Sequence, residues 1–157
     1  LEENAIEKAT FIHHLTGFNC FSEDTGLEVE ALHGEPGVKS ARYAGDIRDF
    51  DQNIVKLLGK LANHENRNAR FRTVICLILD GQQHLFEGVC AGKITKERKG
   101  VGGFGYDPVF IPNGSDLSFA EMTLAQKNSF SHRKKALDKL THFIVNYPTI
   151  DIKNTKF

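Results

Sequence analysis

The sequence has few cysteines, and their placement supports neither a covalent nor a metal-bound framework. There are three, Cys20, Cys76 and Cys90, and each lies in an apolar segment. An odd number of thiols in apolar surroundings argues against a disulfide framework and a zinc site, and it indicates buried thiols in a reducing compartment. The seven histidines are scattered along the chain without the spacing of metal ligands.

The sequence also lacks an excess of charge of either sign and any long apolar run. Twenty basic side chains balance twenty acidic ones, so no global field would draw the protein to nucleic acid or to an anionic membrane. No apolar run approaches the length of a membrane span, and there is no signal peptide. We therefore predict a cytoplasmic protein without nucleic-acid or membrane partners, whose anion sites must be local.

The length and the apolar pattern predict one α/β domain over residues 1–157. The predicted helices are 3–16, 51–64, 123–127 and a longer one capped by Ser131. The predicted strands are 18–21, 27–32, 69–79, 84–94, 109–111 and 149–152. Asp80 and Gly81 have the composition of a tight hairpin turn, and Gly88 and Gly92 are predicted to mark bulges or bends in the return strand.

A glycine-rich segment, residues 100–112, is the first candidate for a binding loop. Its sequence is GVGGFGYDPVFIP, in which glycines allow sharp bends and close approach of a ligand. Phe104 or Tyr106 could stack on a flat ring whose edge Asp107 would bond, although a turn between two strands with aromatic core residues explains the composition equally well. The segment also contains G-x-G-x-x-G, but Pro108 directs the following residues away from a helix. The dinucleotide-binding interpretation is therefore excluded.

Two adjacent carboxylates form the second candidate. Glu23 and Asp24 follow a predicted strand and precede Gly26, so they are predicted to lie in a turn. A carboxylate in that place can bind Mg²⁺ or take a proton from water. The alternative is a structural Asp24 that bonds the backbone of the turn.

The third candidate is the start of the last helix, where four basic residues, HRKK at 132–135, follow the capping Ser131. Cations at a helix N-terminus oppose the helix dipole, which costs stability. A bound anion would offset that cost by meeting both the cations and the free N–H groups. A solvated basic face explains the same pattern.

Four motifs in this order resemble the inosine triphosphate (dITP/XTP) pyrophosphatase family: SEDTGLEV from Ser22, PGV with SARYAG from Pro36, GGFGYDP from Gly102, and SHR from Ser131. The resemblance covers residues 3–143. It implies an elongated, mixed and curved β-sheet flanked by helices, a homodimer, and Mg²⁺-dependent hydrolysis of non-standard purine nucleoside triphosphates to the monophosphate and pyrophosphate, which cleanses the nucleotide pool.

The resemblance also assigns roles to single residues. Asp24 matches the general base and a metal ligand, and the residues that match substrate contacts are Thr25, Phe104, Gly105, Tyr106, Asp107, Lys127, His132 and Arg133. The family begins with a further strand and a Gly/Asn/Lys phosphate-binding loop that this sequence lacks, so we expect an N-terminally incomplete domain. The alternatives are a non-catalytic nucleotide-binding or dimerisation module, and a pyrophosphatase acting on pyrimidine nucleotides.

Overall fold

The computed structural model describes residues 1–148, so the strand predicted at 149–152 lies outside the described residues. The α-helices are α1 (Glu2–Thr16), α2 (Phe50–Lys60), α3 (Leu124–Phe130) and α4 (His132–Asn146). The strands are β1 (Cys20–Val29), β2 (Asn68–Leu79), β3 (Gln82–Ile94) and β4 (Phe110–Pro112). Short 3₁₀ helices lie at Glu30–Leu32, Gly37–Arg42 and Asp107–Val109. None of the helices within residues 1–148 is long and apolar enough to cross a membrane.

The four strands form one sheet in the order β1-β2-β3-β4, and each neighbouring pair is antiparallel. The predicted hairpin between β2 and β3 is confirmed, since Asp80 and Gly81 adopt φ of 52° and 76°. Such angles match the turn types that suit the twist of a two-residue hairpin. The sheet carries Asp24 and Thr25 on β1, and it supports His132 and Arg133 through α4, which packs on β2 and β3.

Helices cover both faces of the sheet, which confirms the predicted α/β class. On one face the small residues Ala5 and Ala9 of α1 pack in an apolar cluster with alternate residues of β2. On the other face Ala136 and Leu140 of α4 pack in a cluster with the intervening β2 residues. Because both faces are buried, the second half of β2 is apolar throughout. We call these the α1 face and the α4 face.

The largest core cluster lies next to the glycine-rich segment. It joins β1, α2, β2 and the region around β4 through Leu27, Leu57, Phe71, Phe110 and Phe119, among others. The Phe71 ring meets Phe110 edge-on at 4.7 Å between ring centroids and stacks on Phe119 at 5.9 Å. Cys76 and Cys90 are buried free thiols, while Cys20 is half-buried. Helix α2 ends at Lys60 rather than at the predicted His64.

The prediction of two short strands separated by a turn at residues 22–26 was wrong. Strand β1 runs without a break and pairs with β2 over its whole length, so that Asp24 faces Val74 and Gly26 faces Arg72. Gly26 serves a close approach instead of a turn, because a Cβ atom there would lie 2.5 Å from the Gly37 carbonyl oxygen. Ten residues of ladder pairing outweigh the local preference of Asp and Gly for a turn.

The predicted bulges in β3 are also absent from the structure. The register with β2 is continuous from Asn68 opposite Lys93 to Leu79 opposite Gln82, with Gly88 opposite Thr73. A Cβ atom on Gly88 would lie 1.9 Å from the carbonyl oxygen of His132. Gly88 is therefore the point where the first turn of α4 rests directly on the sheet.

Candidate active site

Asp24 points to the α1 face of β1, where two residues of α1 contact it. Asn4 Nδ2 donates a hydrogen bond of 3.0 Å to Asp24 Oδ2, and Lys8 Nζ lies 3.6 Å from Asp24 Oδ1. Asn4 and Lys8 are one helical turn apart and so share a face of the helix. The carboxylate is about 20% exposed, which leaves it accessible to water. Asn4 and Lys8 are further candidate site residues, and their i, i+4 spacing is the one signal of them in the sequence.

Thr25 and Glu23 point to the opposite, α4 face, because side chains alternate along a strand. The hydroxyl oxygens of Thr25 and Thr73 form a hydrogen bond of 2.7 Å. Glu23 Oε1 lies 3.0 Å from Arg133 Nε. This contact is an ion pair without hydrogen-bond alignment, since the Arg133 Nε is buried and makes no hydrogen bond within residues 1–148.

The glycine-rich segment presents one ring to solvent and buries the other. Phe104 is 58% exposed, whereas Tyr106 is only 5% exposed. The Tyr106 hydroxyl donates a hydrogen bond of 2.7 Å to the Ser40 carbonyl oxygen, and burial raises the pKa of this phenol. Phe104 is therefore the ring of this segment that a ligand would meet. Gly105, between the two rings, has φ of 59°, a left-handed conformation that favours glycine.

Asp107 and Lys127 form a buried ion pair beside Phe104. The distance from Lys127 Nζ to Asp107 Oδ2 is 2.6 Å, and the two side chains are 20% and 5% exposed. Lys127 Nζ also lies 4.8 Å from the centroid of the Phe104 ring and 5.4 Å from that of Phe119. Lys127 is on α3, whose N-cap is Thr123, as predicted, with a full capping box formed by Thr123 and Gln126.

His132 opens helix α4 and lies flat on the core. Its ring stacks on Phe71 with 4.9 Å between centroids and an angle of 11°. The buried Nδ1 has no hydrogen-bond partner within residues 1–148. Burial, followed by the charges of Arg133, Lys127 and Lys135, lowers the pKa of His132 to about 4. Ser131 caps this helix as predicted, accepting from the Lys134 N–H at 3.2 Å.

The candidate residues thus form two groups. Phe104, Asp107 and Lys127 are in direct contact, and Phe119 and Phe71 connect them to His132. Arg133, Glu23 and Thr25 extend this group along the α4 face. Asp24 lies on the other face of the same strand. Within residues 1–148 β1 is an outer strand of the sheet, and it carries Asp24 on one face and Glu23 on the other.

The described residues fit a Mg²⁺ ion that the protein would share with the substrate phosphates, and they do not form a complete metal site alone. Within the described chain no three His, Cys, Asp or Glu side chains lie close enough together to hold a metal ion. Mg²⁺ is usually held by one or two carboxylates together with water and substrate phosphates. Asp24, a carboxylate that is about 20% exposed, fits that pattern as the single protein carboxylate.

His132 is expected to stay neutral well below neutral pH. In the folded protein its pKa is about 4, whereas an unfolded chain has a histidine pKa of about 6.5. Between these values the unfolded state binds the extra proton, so stability falls as the pH drops from about 6.5 to 4, by on the order of 3 kcal/mol. NMR titration of the imidazole checks the pKa, and urea unfolding of His132→Gln should show a weaker pH dependence. Titration of His132 near 6.5 would contradict the structure.

Comparison with known proteins assigns the chain to a family. Residues 1–143 match the Ham1 family. The dITP/XTP pyrophosphatase of Christiangramia forsetii is 51% identical over 144 residues, covering 92% of this chain and 76% of the relative. That of Porphyromonas gingivalis is 53% identical over 146 residues, covering 92% and 75%. The structure of the Staphylococcus aureus Ham1 protein superimposes with a TM-score of 0.91 at 40% identity, covering 94% of this chain and 77% of that one.

A HAM1 protein from Coxiella burnetii has a TM-score of 0.88 at 37% identity, covering 92% of this chain and 76% of that one. The chain therefore spans about three quarters of the length of these relatives. The resemblance identified from four short motifs is confirmed over nearly the whole sequence. On these grounds the chain belongs to the Ham1 family.

Proposed function

We propose that this chain hydrolyses non-standard purine nucleoside triphosphates, namely ITP, dITP and XTP, to the monophosphate and pyrophosphate, and so cleanses the nucleotide pool. The relatives named dITP/XTP pyrophosphatase, about 50% identical over most of the chain, support this reaction. The observation that carries the proposal for the site is the exposed Phe104 ring beside the donor-bearing Lys127, with a hydrogen-bonded carboxylate, Asp24, across the strand. Substrate contacts by Thr25 and Gly105 are part of the proposal, whereas the buried Tyr106 and Asp107 are proposed to hold the loop in shape around the base.

Base selection follows from the donors around Phe104. The exposed ring offers a face on which a purine stacks. Lys127 and Arg133 carry donors and no acceptor, so they satisfy the 6-oxo group of inosine or xanthosine but meet the 6-amino group of adenosine donor to donor. An unpaired buried polar group is a strong means of rejecting a substrate. His132 is proposed to complete this side of the site, and its buried Nδ1 makes no hydrogen bond within residues 1–148.

Asp24 is proposed to act as the general base. Water attacks the α-phosphorus, a new P–O bond forms, and the bond to the bridging oxygen breaks as pyrophosphate leaves with the electron pair. Asp24 takes the proton of the attacking water, and the hydrogen bond from Asn4 holds its carboxylate in one orientation. Lys8, 3.6 Å away, adds a positive charge on the side where phosphates would lie.

Magnesium is proposed as the cofactor, held by Asp24 together with the substrate phosphates. When bound, it supplies charge neutralisation of the triphosphate. A cytoplasmic homodimer is the proposed form of the protein, because the family resemblance implies a homodimer and the unpaired cysteines suit a reducing compartment.

A substrate panel tests the proposal. Pyrophosphate release is measured with ITP, XTP, ATP, UTP and dTTP, each with Mg²⁺ and with excess EDTA. We expect release from ITP and XTP at rates at least about tenfold above ATP, and none with EDTA. Faster hydrolysis of UTP or dTTP would instead identify a pyrimidine pyrophosphatase. Binding of ITP without turnover would identify a non-catalytic nucleotide-binding module.

A further inference from the structure

The geometry points to Asp107 as a positioning residue that fixes the Phe104 ring and the Lys127 ammonium group, and not as a contact of the base itself. This inference rests on the proposed function of the site. It revises the role that the sequence suggested for Asp107, which was to bond the edge of a purine.

Asp107 is shielded from any ligand that reaches the loop. Its side chain is 5% exposed, compared with 20% for Lys127 and 58% for the whole residue Phe104. Gly103 covers it, because a Cβ atom on Gly103 would lie 2.2 Å from Asp107 Oδ2. Gly103 also has φ of 72°, so two features together favour glycine there. A base that stacks on Phe104 would therefore also contact Lys127, and it would not contact Asp107.

One carboxylate oxygen of Asp107 holds both groups. Asp107 Oδ2 accepts a hydrogen bond of 3.0 Å from the Phe104 N–H and one of 2.6 Å from Lys127 Nζ. Lys127 Nζ then lies 4.8 Å from the centre of the Phe104 ring, within the range of a cation–π contact. The backbone and the ring of Phe104 are thus tied to the same carboxylate, the latter through Lys127.

The ion pair between Asp107 and Lys127 also favours binding of the base over the triphosphate at this part of the site. Asp107 and Lys127 together carry no net charge, so they offer little attraction to a triphosphate compared with an unpaired lysine. Lys127 keeps two further N–H donors that a neutral oxo-purine can use. The ion pair therefore makes this part of the site a base pocket, and the phosphates would bind in the region of Asp24 and Lys8.

A fluorescence measurement tests the positioning role without any need for catalysis. The chain has no tryptophan, so Phe104→Trp places a single reporter at the ring position. Adding Asp107→Asn, or separately Lys127→Met, should shift the indole emission to longer wavelength and lower its anisotropy, since the ring is released. The matched control is Asp116→Asn, which removes a carboxylate from an exposed turn and should leave the spectrum unchanged. An unchanged spectrum in both test variants overturns the inference.

A double-mutant cycle on the enzyme tests the same point through the substrate. We expect Asp107→Asn and Lys127→Met each to raise KM for ITP about tenfold with kcat nearly unchanged, and the double variant to raise it by about the same factor, because the two act as a unit. Independent effects that multiply to about hundredfold would show direct contact of Asp107 with the base and overturn the inference. Absence of ITP hydrolysis in the unaltered protein would contradict the proposed function alone, and the fluorescence result would then decide the role of Asp107.

Discussion

Replacing Asp24 with asparagine is expected to lower the rate of pyrophosphate release from ITP by ~10² to 10⁴-fold, the usual contribution of a positioned base. Asparagine has the same shape but accepts no proton from water. The fold should tolerate the change, because the carboxylate is partly exposed and its contact with Lys8 is a loose ion pair of 3.6 Å. Steady-state kinetics and urea unfolding of the same preparations separate the loss of rate from any loss of stability.

The neighbouring carboxylate provides a matched control. Glu23 lies on the same strand but faces α4, where it pairs with Arg133. Glu23→Gln removes one charge from the same strand and leaves Asp24 in place, so kcat should fall far less than in Asp24→Asn. If the two variants lost activity equally, or if Asp24→Asn remained as active as the unaltered protein, Asp24 would not be the base.

Gly88→Ala should have the second large effect, although Gly88 is not itself a candidate ligand. A Cβ atom there would meet the His132 carbonyl oxygen at 1.9 Å and the Ala136 backbone nitrogen at 2.6 Å. Backbone atoms of a packed helix cannot move aside as a flexible side chain can, so the first turn of α4 must shift. We expect a loss of about 3 kcal/mol in the free energy of unfolding, and a fall of kcat/KM for ITP on the order of 10²-fold, because His132 and Arg133 move with that turn.

The matched control for this substitution is Gly59→Ala. Gly59 lies within α2, and a Cβ atom there would meet no atom within 4 Å. Alanine is a better helix former than glycine by up to about 1 kcal/mol, so this variant should be as stable as the parent or slightly more stable. Urea unfolding compares the pair. Equal stability of Gly88→Ala and Gly59→Ala would show that α4 does not rest on β3 as described.

The parts of the fold that the sequence predicted are those set by local chemistry. The Asp80–Gly81 turn needs residues that accept positive φ, and both are present in sequence. Thr123 and Ser131 cap α3 and α4 through bonds to nearby backbone groups. The buried second half of β2 was visible as a continuous apolar run. These features depend on neighbours in the chain, which a sequence displays directly.

The parts that could not be predicted depend on contacts between distant segments. Gly26 has the composition of a turn, and only the approach of the Gly37 carbonyl shows why a strand needs glycine there. Gly88 resembled a bulge because the helix that rests on it lies far along the chain. The ion pair between Asp107 and Lys127 likewise joins residues 20 positions apart, and the sequence does not display it. Each of these features depends on a partner that is remote in sequence.

The most direct test of the account is to follow an oxygen label through the reaction. The protein is incubated with ITP and Mg²⁺ in H₂¹⁸O, and the products are identified by mass spectrometry. We predict inosine monophosphate that carries the label and pyrophosphate that does not, because water attacks the α-phosphorus with Asp24 as the base. Labelled pyrophosphate, or release of orthophosphate with inosine diphosphate, would contradict it.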